Sequence, residues 1–217
     1  MRIGVLGTGS VGRTIASKLV ELGHEVTMGS RSAESEGLRE WLEGTGLGAS
    51  GGTFADAAAA AELLFNCTSG AASLDALDAA GPDNLAGKVL VDVANPLDFS
   101  AGMPPTLSVC NEDSLGERIQ AAFPEARVVK ALNTINNQVM VDPGRVPGAH
   151  NIFVCGNDAT AKAQTGELLR SFGWRAEQIV ELGDIAAARG TEMYLPLWLR
   201  LMSALGTADF NIEIRMP

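Results

Sequence analysis
Residues Gly7-Thr8-Gly9-Ser10-Val11-Gly12 carry the spacing GxGxxG near the start of the chain. Glycine at the first position permits a tight turn. At the second it lets backbone approach a pyrophosphate, and at the third it lets a helix lie close to a strand. The pattern is informative only between a strand and a helix. Here it directly follows the apolar run 2–6 (RIGVL) and opens a segment with Val11, Ile15, Leu19 and Leu22 on one helical stripe. A helix N-terminus offers unpaired N–H groups and the positive end of its dipole, so this loop is read as a phosphate cradle for a dinucleotide. The plainer alternative is a glycine-rich turn with no ligand.

A second cue lies at the end of the next strand, where the chain reads Met28-Gly29-Ser30-Arg31-Ser32. Sites selective for NADH carry Asp or Glu there, accepting hydrogen bonds from the ribose 2′-hydroxyl. This chain has no acid at that point. Arg31 can form a fork with a 2′-phosphate, while Ser30 and Ser32 add hydroxyl donors. Charge-assisted hydrogen bonds contribute roughly 1.5–3 kcal/mol each, enough to decide between the cofactors. The expected cofactor is therefore NADP(H), with Glu34 and Glu36 close enough to oppose it and a solvated surface arginine as the alternative.

Strand-like and helix-like segments alternate around these residues. Strands are expected at 2–6, 25–28, 63–67, 89–93 and 127–131, with at most a brief one in the glycine-rich stretch 44–52. Helices are expected at 10–22, 34–43, 55–61, 71–80 and 113–123. Such alternation means βαβ units and an α/β, doubly wound parallel Rossmann sheet. Beyond Pro143 the pattern loosens. It reads as a strand at 151–155, a helix at 159–172, mixed strand and turn at 174–182, a largely helical 184–205 and a terminal strand at 210–215. The division expected is an NADP-binding domain, 1–145, and a small C-terminal α/β extension, 146–217, forming the acceptor-site and dimer-contact region.

The chain has 217 residues, 46% hydrophobic and 19% charged, enough to bury a full core. Its net charge of −10 repels phosphate backbones and anionic lipid, so no nucleic acid and no membrane partner are expected. Three widely spaced cysteines, Cys67, Cys110 and Cys155, argue against a disulfide framework and against a metal site. Free thiols suit a reducing compartment, and the first residues lack a signal-peptide pattern, so the expected location is cytoplasmic. The apolar stretch 194–205 is too short and too interrupted to span a bilayer.

With the glycine loop, GHEVTMGSR, VDVANPL and KALNT laid out, the chain resembles the coenzyme F420-dependent NADP oxidoreductase family. It is also similar to the cytosolic domain of STEAP-type metalloreductases. The resemblance runs over nearly the whole chain, through Val129-Lys130-Ala131-Leu132-Asn133-Thr134, Phe153-Val154-Cys155-Gly156-Asn157-Asp158 and the late Glu192…Leu195-Pro196-Leu197. It implies direct hydride transfer between NADPH and a flavin-like ring, usually in a homodimer. Two positions depart from the family pattern. Asn133 stands where the deazaflavin reductases tend to carry His, and Ser32-Ala33 lack the second cation often found after Ser-Arg.

The reacting end should lie at the carboxyl ends of the fourth to sixth strands. Cys67 and Thr68, followed by Ser69, leave the fourth; Ala94 and Asn95 leave the fifth; Asn133 and Thr134 leave the sixth. They are candidates to hold nicotinamide, ribose or acceptor, with ordinary turn chemistry as the alternative. Reducing a carbonyl requires a proton donor beside the hydride acceptor, and donors are scarce. No catalytic residue stands out. Lys130 and Asn133 are the weak candidates, Lys130 as an acid or as a strand-end lysine reaching solvent. His24 reads as structural, His150 as a solvated loop residue and Tyr194 as core. Cys67 reads as a small apolar filler.

A flavin-type ring delocalises the incoming electrons and relieves the need for an acid. The expected partner is thus a small-molecule hydride acceptor, coenzyme F420 or FMN/FAD. A small β-hydroxyacid or imine dehydrogenase, or an NADPH-sensing regulator without catalysis, are the alternatives. The long stretch 96–112 reads as a lid. Leu195, Leu197, Trp198, Leu201, Met202 and Leu205 crowd nearly all sides of one helix, which should be buried in its own core or against a second subunit.

Overall fold
A computed structural model describes residues 1–217. Ten strands are present: β1 Arg2–Leu6, β2 Glu25–Ser30, β3 Ala49–Thr53, β4 Leu63–Asn66, β5 Val89–Asp92, β6 Leu97–Asp98, β7 Thr106–Leu107, β8 Arg127–Ala131, β9 Ile152–Gly156 and β10 Ile179–Glu181. Ten α-helices connect or cover them: α1 Ser10–Glu21, α2 Glu36–Gly44, α3 Phe54–Ala60, α4 Ser73–Ala80, α5 Pro82–Leu85, α6 Leu115–Ala122, α7 Asn137–Val141, α8 Ala159–Ser171, α9 Ala188–Met193 and α10 Leu195–Leu205.

One eight-stranded sheet has the order β10-β9-β8-β5-β4-β1-β2-β3. The run from β3 to β8 is parallel. β9 is antiparallel to β8, and β10 runs with β9. From β1 the chain first winds outward through β2 and β3, then returns to start β4 on the other side. The crevice beyond the carboxyl ends of β1 and β4 is therefore the switch point where α/β sheets bind ligands.

The strands are apolar on both faces because helices cover both. Ile3, Val5, Leu63, Phe65, Val89, Val91 and Val129 enter one core with residues of α1, α2, α7 and α8. Alternate positions, Leu6, Leu64, Leu90 and Val128, enter the other with residues of α3, α4, α6 and α9. β9 places Ile152 and Val154 in the first core and Cys155 in the second, so segment 146–217 extends the same sheet and both cores.

Several local expectations are corrected. Segment 44–52 leads into a full edge strand, β3, whose register with β2 runs from Val26↔Ala49 to Ser30↔Thr53. Segment 210–215 is not a strand: it docks beside the start of β9, whose two edges are already occupied by β8 and β10. The tail docks instead through Asn151 N–H to the Ile212 carbonyl (2.9 Å) and Ile214 N–H to Asn151 Oδ1 (2.8 Å).

The helical segment 184–205 is broken into a 3-10 turn, α9 and α10, with Pro196 in the first turn of α10, where its missing N–H costs least. Of α10 only Leu195 is buried, while Leu197 and Leu205 are more than half exposed. The stretch 96–112 contains a small antiparallel hairpin, β6 with β7. His150 is buried, not solvated: its ring bonds the Pro143 carbonyl and Asn211, and meets Trp174 edge-on. No helix is long and apolar enough to cross a membrane.

Candidate functional site
The glycine loop lies at the switch point. Gly9 is the N-cap residue of α1 and brings no side-chain cap, and the first turn holds no acid. The first amides of α1 thus stay available to an anion. A Cβ placed on Gly12 would lie 2.0 Å from the Gly7 carbonyl oxygen, so only glycine allows this approach of helix to loop. A Cβ on Gly9 would meet nothing within 4 Å. That open space is the cradle in which a pyrophosphate would sit, and the residues present fit an NADP molecule.

A cleft of about 750 Å³ opens beside this loop, lined by Gly7, Thr8 and Gly9, by Ser30, Arg31 and Ser32, and by Cys67 and Thr68. Ser10 lies exposed at the start of α1. Arg31 forms no ion pair, so Glu34 and Glu36 leave it free for a phosphate. Ser30 has a different task from the one expected. Its buried hydroxyl lies 2.5 Å from the Ser32 carbonyl and 2.9 Å from Ser35 Oγ, which ties the loop together under Arg31. Ser35 caps α2 by accepting from Leu38 N–H, which sets where the loop ends.

Sequence reasoning missed Ser35, Phe54 and Asp75, all of which line this cleft. Ser35 was recoverable as a Ser N-cap just ahead of a helical stripe. Phe54 and Asp75 come from α3 and α4, and no local pattern announces them.

A second cavity of about 410 Å³ lies on the far side of Cys67-Thr68-Ser69, walled also by Val11, Ala94, Asn95 and the hairpin residues Asp98 and Phe99. Phe99 stands on its rim, 56% exposed. Asn133 and Thr134 are buried beneath it and line neither cavity. Leu132 has φ +64°, a left-handed conformation that costs an L-residue roughly 1–2 kcal/mol. After this turn Asn133 meets Asn95: Asn95 Nδ2 donates to the Asn133 carbonyl at 2.8 Å, and Asn133 Nδ2 donates to Asn95 Oδ1 at 2.9 Å. The two asparagines therefore tie the loops after β5 and β8 to each other.

Lys130 does not reach solvent and is in no position to act as an acid. It is 1% exposed. Its three N–H donors go to Asp92 Oδ2 (2.7 Å), Glu192 Oε1 (2.7 Å) and the Ala94 carbonyl (2.6 Å). Burial alone would pull this ammonium down, but Asp92 and Glu192 hold it above the ordinary lysine range. Burial, with help from the Asp92 charge, pushes the Cys67 thiol far up, so it stays protonated and unreactive. His24 stands at the opposite end of β2 from Arg31, and desolvation with the nearby N-terminal charge holds its pKa below the usual value.

A doubly wound sheet, an uncapped helix terminus at its switch point and a free arginine after the second strand together define a Rossmann-type site for a phosphorylated dinucleotide. Comparison with known proteins agrees. A family model described as NADP oxidoreductase, coenzyme F420-dependent, matches residues 2–96. The crystal structure of an Arthrobacter sp. FB24 protein, a candidate F420-dependent NADP-reductase, superposes with a TM-score of 0.93 at 56% identity, covering 99% of both chains. The F420-dependent NADP reductase of Methanothermobacter marburgensis is 29% identical over 93% of this chain and 92% of its own. Metalloreductase STEAP3 of Rattus norvegicus is 30% identical over 91% of this chain, which spans only 38% of that protein. The chain belongs to the coenzyme F420-dependent NADP oxidoreductase family and is an NADP-dependent oxidoreductase.

Two substitutions test the cofactor site. Arg31→Ala should weaken NADPH by at least about tenfold, or ~1.4 kcal/mol, and NADH by less than about twofold in titration calorimetry. Equal losses would remove the role given to the guanidinium. Gly9→Val should leave the circular dichroism spectrum unchanged, because a Cβ there meets nothing within 4 Å, yet abolish binding of both nucleotides. Retained affinity would refute the cradle.

Proposed function
We propose that the protein transfers hydride between NADPH and a flavin-like ring, coenzyme F420 or FMN/FAD, placed in the second cavity. The observation that carries this reading is the cavity's lack of a proton donor. Its only ionisable lining groups are Cys67 and Asp98. The Ser100 backbone N–H, donating to Asp98, holds that carboxyl below the usual range, so it is ionised at neutral pH. Cys67 stays protonated but is too weak an acid to give up its proton. A ketone or imine acceptor needs an acid beside it. A ring that spreads the incoming charge needs position and polarity, which Val93, Ala94, Asn95 and Phe99 offer. NADPH supplies the hydride when bound; the chain binds and orients both reactants.

The F420-dependent NADP reductase of Methanothermobacter and the Arthrobacter relative favour F420 within this class. A reducing, cytoplasmic setting belongs to the proposal and is supported by three unpaired thiols. A second copy of the chain is proposed to cover α10, whose Leu197 (56% exposed) and Leu205 (57%) have no cover within the chain.

Stopped-flow mixing should show rapid loss of NADPH absorbance with F420, FMN or FAD. Neither Asp98 nor Cys67 titrates near neutrality, so the hydride-transfer rate should be flat from about pH 6 to 8. Turnover confined to hydroxyacids or imines, or no turnover on any acceptor, would overturn the reading. In sedimentation velocity the protein should run as a dimer, and Leu197→Glu with Leu205→Glu should give monomers. A monomeric wild type would sink the pairing.

A further inference from the structure
The Lys130–Asp92–Glu192 cluster lies outside both cavities, and burying three ionisable side chains is costly. All three side chains are essentially inaccessible. Two carboxylates face one ammonium, leaving one negative charge in excess. Glu192, on α9, disperses it by accepting from the first amides of α6: Leu115 N–H to Oε2 at 2.8 Å and Gly116 N–H to Oε1 at 3.0 Å. An apolar trio of similar volume would often serve stability as well or better. What the ionic version adds is direction.

The bonds of the cluster end on the cavity walls. Lys130 holds the Ala94 carbonyl at 2.6 Å, while Asp92 Oδ1 accepts from Ala94 N–H at 3.2 Å. The same Asp92 oxygen accepts from Asn66 Nδ2 at 2.8 Å. Asn66 Oδ1 in turn accepts from Thr68, from Oγ1 at 2.7 Å and from the backbone N–H at 3.3 Å. Thr68 and Ala94 both line the second cavity. One buried lysine is thus common to the loops after β4 and β5, and through Glu192 to α6 and α9.

We propose that Lys130 is a positioning residue for the nicotinamide end of the cofactor, fixing the Ala94 carbonyl directly and the Thr68 peptide through Asp92 and Asn66. The proposal rests on the cofactor reading above but not on the identity of the acceptor. The adenosine end depends on Arg31 and the glycine loop, none of which bonds to this network. The two ends should therefore respond differently when it is damaged.

The test uses full-length Lys130→Met and Glu192→Gln, with NADPH and with 2′,5′-ADP, which keeps the 2′-phosphate and lacks nicotinamide. Both variants should bind NADPH about tenfold or more weakly and should lose the emission enhancement of bound NADPH. Their affinity for 2′,5′-ADP should stay within about twofold of wild type. Lys130→Met strands two buried carboxylates; should it fail to fold, Glu192→Gln, which keeps the side-chain size, decides alone. Equal weakening of both ligands, or of neither, overturns the positioning role. A wild type that ignores 2′,5′-ADP overturns the cofactor reading and this proposal together, whereas a wild type that reduces no flavin-like acceptor leaves the binding comparison intact.

Discussion

The exposed amides at the start of α1 are the constraint around which the molecule is arranged. A chain with a net charge of −10 repels a polyphosphate at long range. Binding must come from donors that act at contact distance, where a helix terminus and a guanidinium outweigh a screened global field. Several features of the fold keep those donors usable. Gly9 leaves the cap position without a side chain, Gly12 lets α1 sit against the loop, and the parallel order around β1 places the crevice there. A side-chain cap on α1 would satisfy the same amides and compete with the ligand for them.

The two ends of the site are built in different ways. The adenosine end is local: residues 7–12 and 30–35 lie within one βαβ unit, and the serines around Arg31 bond mainly to each other. The end proposed to react is assembled from loops after β4, β5 and β8, which are far apart in sequence. Their register is held by Asn95 with Asn133 and by the buried network through Asp92 and Lys130. On the proposed reading, cofactor choice is written in a short stretch of chain, while the geometry of hydride transfer depends on the whole sheet.

That difference explains what was legible in the sequence. The order of strands and helices, the glycine loop and the arginine after β2 all rest on short-range pattern, and each occupies its expected place in the fold. The misreadings occurred where a distant partner decides. Lys130 looks from sequence like a strand-end lysine able to reach solvent, because Glu192 is 62 positions away and Asp92 is 38. His150 sits in a Pro/Gly-rich loop that reads as exposed, but Trp174 and the C-terminal tail bury it. The alternation at 210–215 is genuine strand chemistry, but the tail docks beside Asn151, where β9 already has both edges taken by β8 and β10. Phe54 and Asp75 reach the cleft only because α3 and α4 pack on the same face of the sheet.

The scarcity of acids near the reacting end and the cost of the ionic cluster are two sides of one arrangement. A lysine at the carboxyl edge of a central strand is well placed for proton chemistry. Here its three donors are spent inside the protein, and Cys67 next door is driven to its neutral form by the same burial and by Asp92. The fold has converted ionisable groups at the carboxyl edge of the sheet into fixed supports. On the proposed chemistry this carries no penalty, because a delocalised ring needs its distance and angle to the nicotinamide defined far more than it needs a proton delivered. Rigid walls without acids are what such a transfer demands, and a carbonyl reductase built on the same sheet would have to release a proton donor that this chain keeps locked.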